Sequence, residues 1–174
     1  MRVRPATPDD AEAIRAIYNH EVEHTTATFD LVPRSLEDQR AWLAARSGAF
    51  SAVVVTPDEG DGPDDDRVIG FAALSPYKER AAYRTSVEDS IYLRGDAQGR
   101  GVGRFLLDNL LDIATDSGFH AVFARIEAGG TASRALHERC GFRLVGIERQ
   151  VGRKFGRWLD VALMQCLLHE RERP

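Results

Sequence analysis

A chain of 174 residues, 43% of them apolar, can bury a core of its own without disulfides or metal, and we read residues 1–174 as one domain. The 23 Lys and Arg are interspersed with 27 Asp and Glu for a net charge of −4, which argues against nucleic acid as the main partner. Cys140 and Cys166 lie in apolar patterns and fit a reducing, cytoplasmic setting; no apolar leader opens the chain, and no run approaches the ~18 residues of a membrane span.

The chain opens on a short strand over 2–4 that ends at Pro5. Thr7, Pro8 and Asp10 set up a helix start, with a hydroxyl cap, a proline in the first turn and an acid at the third position. Ala11, Ile14, Ile17 and Tyr18 recur at helical spacing and mark its buried stripe. His20, Glu21 and His24 then match the H-E-x-x-H pattern of zinc proteases. That chemistry needs a third protein ligand and a continuous helix behind both histidines. Thr25, Thr26 and Thr28 follow at once as poor helix residues, and no later His or Glu stands in a ligand-like context. The segment reads as a helix running out into a loop, with no metal.

Ser35 and Asp38 open a second helix carrying Trp42 and Leu43. The runs at 51–56 and 68–74 read as strands, and the Gly-, Pro- and Asp-rich run between them as a solvated hairpin loop without EF-hand spacing. A loop with Lys78, Arg80 and Tyr83 leads to a strand over 87–93, a glycine-rich turn over 98–103 and a long helix ending at Gly118. A strand over 120–126 follows, then a short helix capped by Thr131 or Ser133 and closed by Gly141. Strands near 143–151 and 158–168 complete an α+β arrangement of about six to seven strands and about four helices.

The order strand, glycine turn, helix builds an anion site. Gly99, Gly101 and Gly103 allow a tight turn whose amides, with those of the following helix, can face a phosphate. A P-loop is excluded, because no Gly-Lys-Ser/Thr sequence stands at the required spacing. A dinucleotide fingerprint is excluded too: the third glycine follows the second by two residues, and Asp112 and Asp116 fall inside the first helix. The pattern resembles instead the pyrophosphate loop of the GNAT N-acetyltransferases, which bind acetyl-CoA.

The resemblance extends along the chain through IYNHEVEHT at 17–25, PYKERAAY at 76–83, VEDSIY at 87–92, ASRALHERCGF at 132–142 and VGRKFGRWLDV at 151–161. These pieces are similar to one branch, the phosphinothricin and methionine sulfoximine or sulfone N-acetyltransferases. Two departures stand out. Gly130 replaces an Asn that the branch usually carries, removing a side-chain contact to the pantetheine arm, and the acidic insert between the strands is longer.

The resemblance implies a GNAT fold with a mixed, mostly antiparallel sheet, and direct transfer to a small amine in a ternary complex. Gln98, Gly99, Arg100, Gly101, Val102, Gly103 and Arg104 would hold the diphosphate of acetyl-CoA, and the backbone of Ile91, Tyr92 and Leu93 would pair with the pantetheine. An amide near Leu93 would face the thioester oxygen; removing such a donor costs about 3 kcal/mol of transition-state stabilisation. Glu88 corresponds to the family's base and needs a poorly solvated pocket to act as one. His137 stands where most relatives carry the tyrosine that protonates the leaving thiolate, while Cys140, on the same helix, reads as core.

Lys78 and Arg80 would supply cations for an acceptor phosphinate or carboxylate, phosphinothricin first and methionine sulfone or sulfoximine next. Tyr83, Phe29 and Phe155 would line its apolar part, and Trp158 with its neighbours would serve a homodimer. Two other readings stay open: a non-catalytic acyl-CoA-binding regulatory module, suggested by Gly130, and a zinc hydrolase using His20, Glu21 and His24.

Overall fold

The computed structural model describes residues 1–58 and 67–171, so most of the expected acidic hairpin loop lies outside the described residues. Among the described residues seven strands form one sheet: β1 (Arg2–Pro5), β2 (Val53–Thr56), β3 (Gly70–Pro76), β4 (Ser86–Leu93), β5 (Ala121–Glu127), β6 (Arg143–Lys154) and β7 (Arg157–Leu167), in the order β1-β2-β3-β4-β5-β7-β6. Neighbours are antiparallel except β4 and β5, which run parallel.

Among the described residues four α-helices cover the sheet: α1 (Ala11–His24), α2 (Leu36–Ala44), α3 (Val102–Asp116) and α4 (Thr131–Arg139). Local chemistry sets their starts. The Asp10 carboxylate accepts from the Thr7 amide at 2.7 Å, and a tight turn over Pro8–Asp10 precedes α1, which therefore begins at Ala11. Ser35 and Asp38 cap α2 reciprocally, each side chain accepting from the other's amide at 3.0 and 3.1 Å.

Alternation along the strands sorts the core into two layers. Val87, Ile91 and Leu93 of β4 pack with Leu106, Leu107 and Leu110 of α3 on one face. Tyr92 points the other way, stacking on Phe71 and meeting the edge of Tyr18 in the layer under α1 and α2. Glu88 shares that second face by its parity.

β6 runs further than its sequence pattern suggests, to Lys154, with irregular pairing between Leu144 and Gly146 and between Glu148 and Gly152. Gln150, at the second irregularity, has φ +54°, and its amide donates to Asp160 at 2.8 Å. The β6–β7 connection is a two-residue turn in which Phe155 and Gly156 both have positive φ, the geometry that matches strand twist.

Candidate active site

The parallel pairing of β4 and β5 lasts for three residue pairs, Ser86 with Ala121, Val87 with Val122 and Glu88 with Phe123. Beyond them β4 stays bonded to β3 as far as Leu93, and β5 to β7 as far as Glu127. The two strands therefore part after Glu88, and among the described residues no strand fills the wedge between them. Each keeps one backbone edge facing the opening, ready to pair with an extended ligand.

The glycine turn closes the end of β4. Gly99 and Gly101 have φ +72° and +82°, conformations that favour glycine, and a methyl group at either would meet nothing within 4 Å. The glycines here serve backbone shape and leave open space above it. Phe105 is the first residue of α3 whose amide finds a carbonyl one turn back, that of Gly101 at 3.1 Å, so the amides of Val102, Gly103 and Arg104 precede the helix's own bonding. With the positive end of the helix dipole, they form a cradle suited to a diphosphate. Gly103 has a different role from its two companions: a Cβ there would lie 3.1 Å from Leu136 and 3.2 Å from Leu93, so its absence lets α3 close on α4 and β4.

Glu88 stands at the apex of the wedge with 31% of its side chain exposed. Burial pushes its carboxyl above the ordinary carboxylate range; Arg125 pulls it back, and the charges of Asp89 and Glu148 add to the rise. Arg125 Nε lies 3.4 Å from Glu88 Oε2, and its Nη1 donates to Glu148 Oε2 at 2.9 Å.

His137 is held on both sides of its ring. Its ring is only 2% exposed; Nδ1 donates to the Ser133 carbonyl at 2.7 Å, and Nε2 sits 3.0 Å from the Asp89 carboxylate, which is buried as well. Both nitrogens are engaged inside the packing between α4 and β4, and the ring lies edge-on to Phe142, closed off from solvent. Burial presses its pKa down, but the charge and hydrogen bonds of Asp89 and Ser133 raise it, net, above the ordinary imidazole value. The ring joins α4 to β4.

Next to Glu88 in register, Phe123 stacks on Tyr77 at 4.0 Å, and Tyr77 meets Tyr83 edge-on at 5.8 Å. Lys78 Nζ lies 4.8 and 5.3 Å from the Tyr77 and Tyr83 ring centroids. This places Lys78 and Tyr83 on an aromatic wall beside Glu88, since Phe123 is its partner in register. Arg80 is exposed at the start of the turn over Ala81–Tyr83 and makes no ion pair among the described residues, so the structure does not join it to the wall.

The opposite lip is the loop after α1. Phe29 lies over Gly152, where an added Cβ would fall 2.2 Å from its ring. Thr26 donates to Glu127 at the end of β5 at 3.1 Å, and buried Lys154 donates to the carbonyls of Glu21 and Thr28 at 3.2 and 2.8 Å. Phe155, at the exposed hairpin tip, points its cation contact back to Lys154. Arg125, Glu148, Lys154, Tyr77 and Phe123 were not singled out by sequence; the alternation of Phe123, Arg125 and Glu127 along one strand face was the available signal.

His20 and His24 do share a face, because α1 continues through His24, and their rings lie 4.9 Å apart. Glu21 turns away from them into the core and accepts from Thr25 at 2.6 Å. Among the described residues no third ligand joins them in a metal-binding group. At Gly130 a Cβ would press on the Glu127 carbonyl at 3.0 Å, so this backbone leaves little room for the Asn of the branch.

Comparison with known proteins agrees with this geometry. A family model described as an acetyltransferase (GNAT) domain matches residues 3–163. A phosphinothricin N-acetyltransferase of Streptomyces coelicolor is 40% identical over 164 residues, 93% of each chain. An L-methionine sulfoximine/L-methionine sulfone acetyltransferase of Pseudomonas paraeruginosa is 39% identical, over 95% of this chain and 94% of its own. The crystal structure of a phosphinothricin acetyltransferase from Sinorhizobium meliloti in complex with acetyl-CoA superposes with a TM-score of 0.87 at 36% identity, covering 95% of this chain and 87% of that one. A wedge opening at Glu88, a glycine cradle at the start of α3 and these matches along nearly the whole length lead to one conclusion: the chain belongs to the GNAT family of acetyltransferases.

Proposed function

We propose that the protein acetylates the α-amine of a small amino-acid analogue of the phosphinothricin or methionine sulfoximine and sulfone type, by direct transfer from acetyl-CoA in a ternary complex. The observation that carries this reading is the position of Glu88: a carboxylate of raised proton affinity at the residue where β4 and β5 separate. The compounds named for the relatives supply the acceptor class.

Bound in the wedge, acetyl-CoA supplies an acyl group activated as a thioester. The turn over 98–103 and the first amides of α3 would hold its diphosphate, Arg100 and Arg104 adding positive charge at the rim. The edge of β4 from Ile91 to Leu93 would fix the pantetheine as an added strand, with the side chains of Ile91 and Leu93 committed to the core. Glu88 takes the proton of the acceptor ammonium, directly or through water. An α-amine of pKa ~7.8 is roughly 15% neutral at pH 7, against under ~0.1% for a lysine ε-amine, so a carboxylate suffices as base for the first. Lys78, with Arg80 at the loop rim, offers cations to a phosphinate or carboxylate, while Tyr83, Tyr77 and Phe29 border the apolar part.

We read residues 1–174 as one domain that carries both binding and chemistry, in the cytoplasm; Cys140 and Cys166 are free and buried, their thiols pushed up to about 12 and about 11, and call for no oxidising compartment. The exposed apolar residues of edge strand β6, Leu144, Val145, Ile147 and Val151, with Trp158 beside them, support a homodimer through this edge. Acetylation removes the acceptor's positive charge, which fits a role in resistance to such amino-acid toxins.

The test is a panel of amines incubated with acetyl-CoA, following free CoA and the mass of the product. Release with phosphinothricin-type or methionine sulfone-type amines, and acetyl on the α-nitrogen, is expected. Silence with every α-amine in the panel would overturn the reading and favour a binding module.

A further inference from the structure

Arg125 has no place in that scheme, yet among the described residues it is the cation that meets the proposed base. β5 presents Phe123, Arg125 and Glu127 to the face that carries Glu88, because Phe123 is in register with Glu88 and strand side chains alternate. The guanidinium reaches in two directions. Nε meets Glu88 on β4 at 3.4 Å, and Nη1 crosses over β7 to Glu148 on β6 at 2.9 Å. The three side chains are 39%, 31% and 38% exposed, a degree at which an ion pair adds little to stability. Stability therefore does not account for a single guanidinium forked between two carboxylates on either side of it.

We propose that Arg125 is a positioning residue for the acetyl transfer: it holds the Glu88 carboxylate at the apex of the wedge, and Glu148 governs how much of the guanidinium Glu88 receives. This rests on Glu88 being the base. The charged groups that act on Glu88 among the described residues are Arg125 from β5 and Glu148 from β6 on its own face and, through the sheet, Asp89, which points to the opposite face and pairs with His137, so the balance among them is small enough to be dissected by single changes. When Arg125 is removed, Glu88 keeps only its burial and two like charges, and it holds its proton to higher pH. When Glu148 loses its charge, Glu88 has the guanidinium to itself and loses one like neighbour, and it gives up its proton at lower pH.

The experiment is the pH profile of kcat/KM for the full chain and for Arg125→Gln, Arg125→Lys, Glu148→Gln and Glu88→Gln, with thermal melts of each. The acid limb should move to higher pH in Arg125→Gln, with a loss of about threefold on that limb that fades as pH rises above it, and to lower pH in Glu148→Gln. Arg125→Lys should restore the limb at least in part, since it returns the charge without the fork. Limbs that stay fixed in both variants, or move the same way, with Glu88→Gln still strongly impaired, would overturn the role of Arg125 and leave the base intact. Full activity in Glu88→Gln would instead remove the base itself, and this inference with it.

Discussion

Glu88 and Phe123 are the last residues at which β4 and β5 still run side by side; one step further the strands have left each other. Everything assigned to chemistry lies around that pair. The proposed base is its first member, the aromatic wall begins at its second, and the wedge opens directly beyond it.

The first prediction concerns Glu88→Gln. Loss of the base should lower kcat/KM by about a hundredfold at neutral pH, the low end for a general base because an α-amine is partly neutral already. Stability should move the other way. The folded protein raises this carboxyl's proton affinity, chiefly by burial, so its contribution to stability is present at low pH and lost as pH rises through the folded pKa. Glu88→Gln is expected to melt above the parent at neutral pH, with the gap closing on acidification, as followed by calorimetry across pH.

Two glycines of the turn should behave differently. Gly101→Ala strains a left-handed residue by roughly 1 kcal/mol but touches no protein atom, so a large loss of acetyl-CoA affinity by titration calorimetry would come from the ligand's side. In Gly103→Ala the new methyl presses on Leu136 and Leu93, and a drop in melting temperature should dominate.

Asp89→Ala tests the buried pair. It strips His137 of its carboxylate and should cost roughly 3 kcal/mol near pH 6. Because His137's pKa is raised in the folded state by that partner, the stabilisation is full below the ordinary imidazole pKa and is lost as pH rises through the folded value. Melting curves of parent and variant should therefore converge toward alkaline pH; a pH-independent gap would mean that packing alone is at stake.

Lys154→Met keeps the length of the side chain and removes its ammonium, which bonds two carbonyls in a buried position. A loss of about 2–3 kcal/mol is expected from denaturant unfolding. Steady-state kinetics should show KM for the acceptor rising more than KM for acetyl-CoA, since the loosened loop carries Phe29.

What the sequence revealed was local in origin. Thr7 with Asp10 and Ser35 with Asp38 announce helix starts because the bonds they form span three residues. The turn at Gly99 and Gly101 is readable because left-handed backbone needs glycine. The surroundings of His137 were illegible for the opposite reason: its partner Asp89 lies 48 positions away, and nothing within α4 announces a bond to a distant carboxylate. Arg125 was invisible in the same way, since its meaning depends on the register that sets Phe123 beside Glu88. Gly103 was legible as a glycine of the motif, but its task of admitting Leu136 and Leu93 is a matter of helix packing.

Lys154 and the carbonyl of Glu21 are 133 positions apart, yet one ammonium binds the hairpin to the end of the first helix. The mouth of the site is thus a composite whose halves were never neighbours in the chain. Anyone wishing to transplant acceptor preference between members of the family would have to move the loop bearing Phe29 together with the hairpin bearing Gly152 and Lys154, because a graft of either alone would bring half a keyhole.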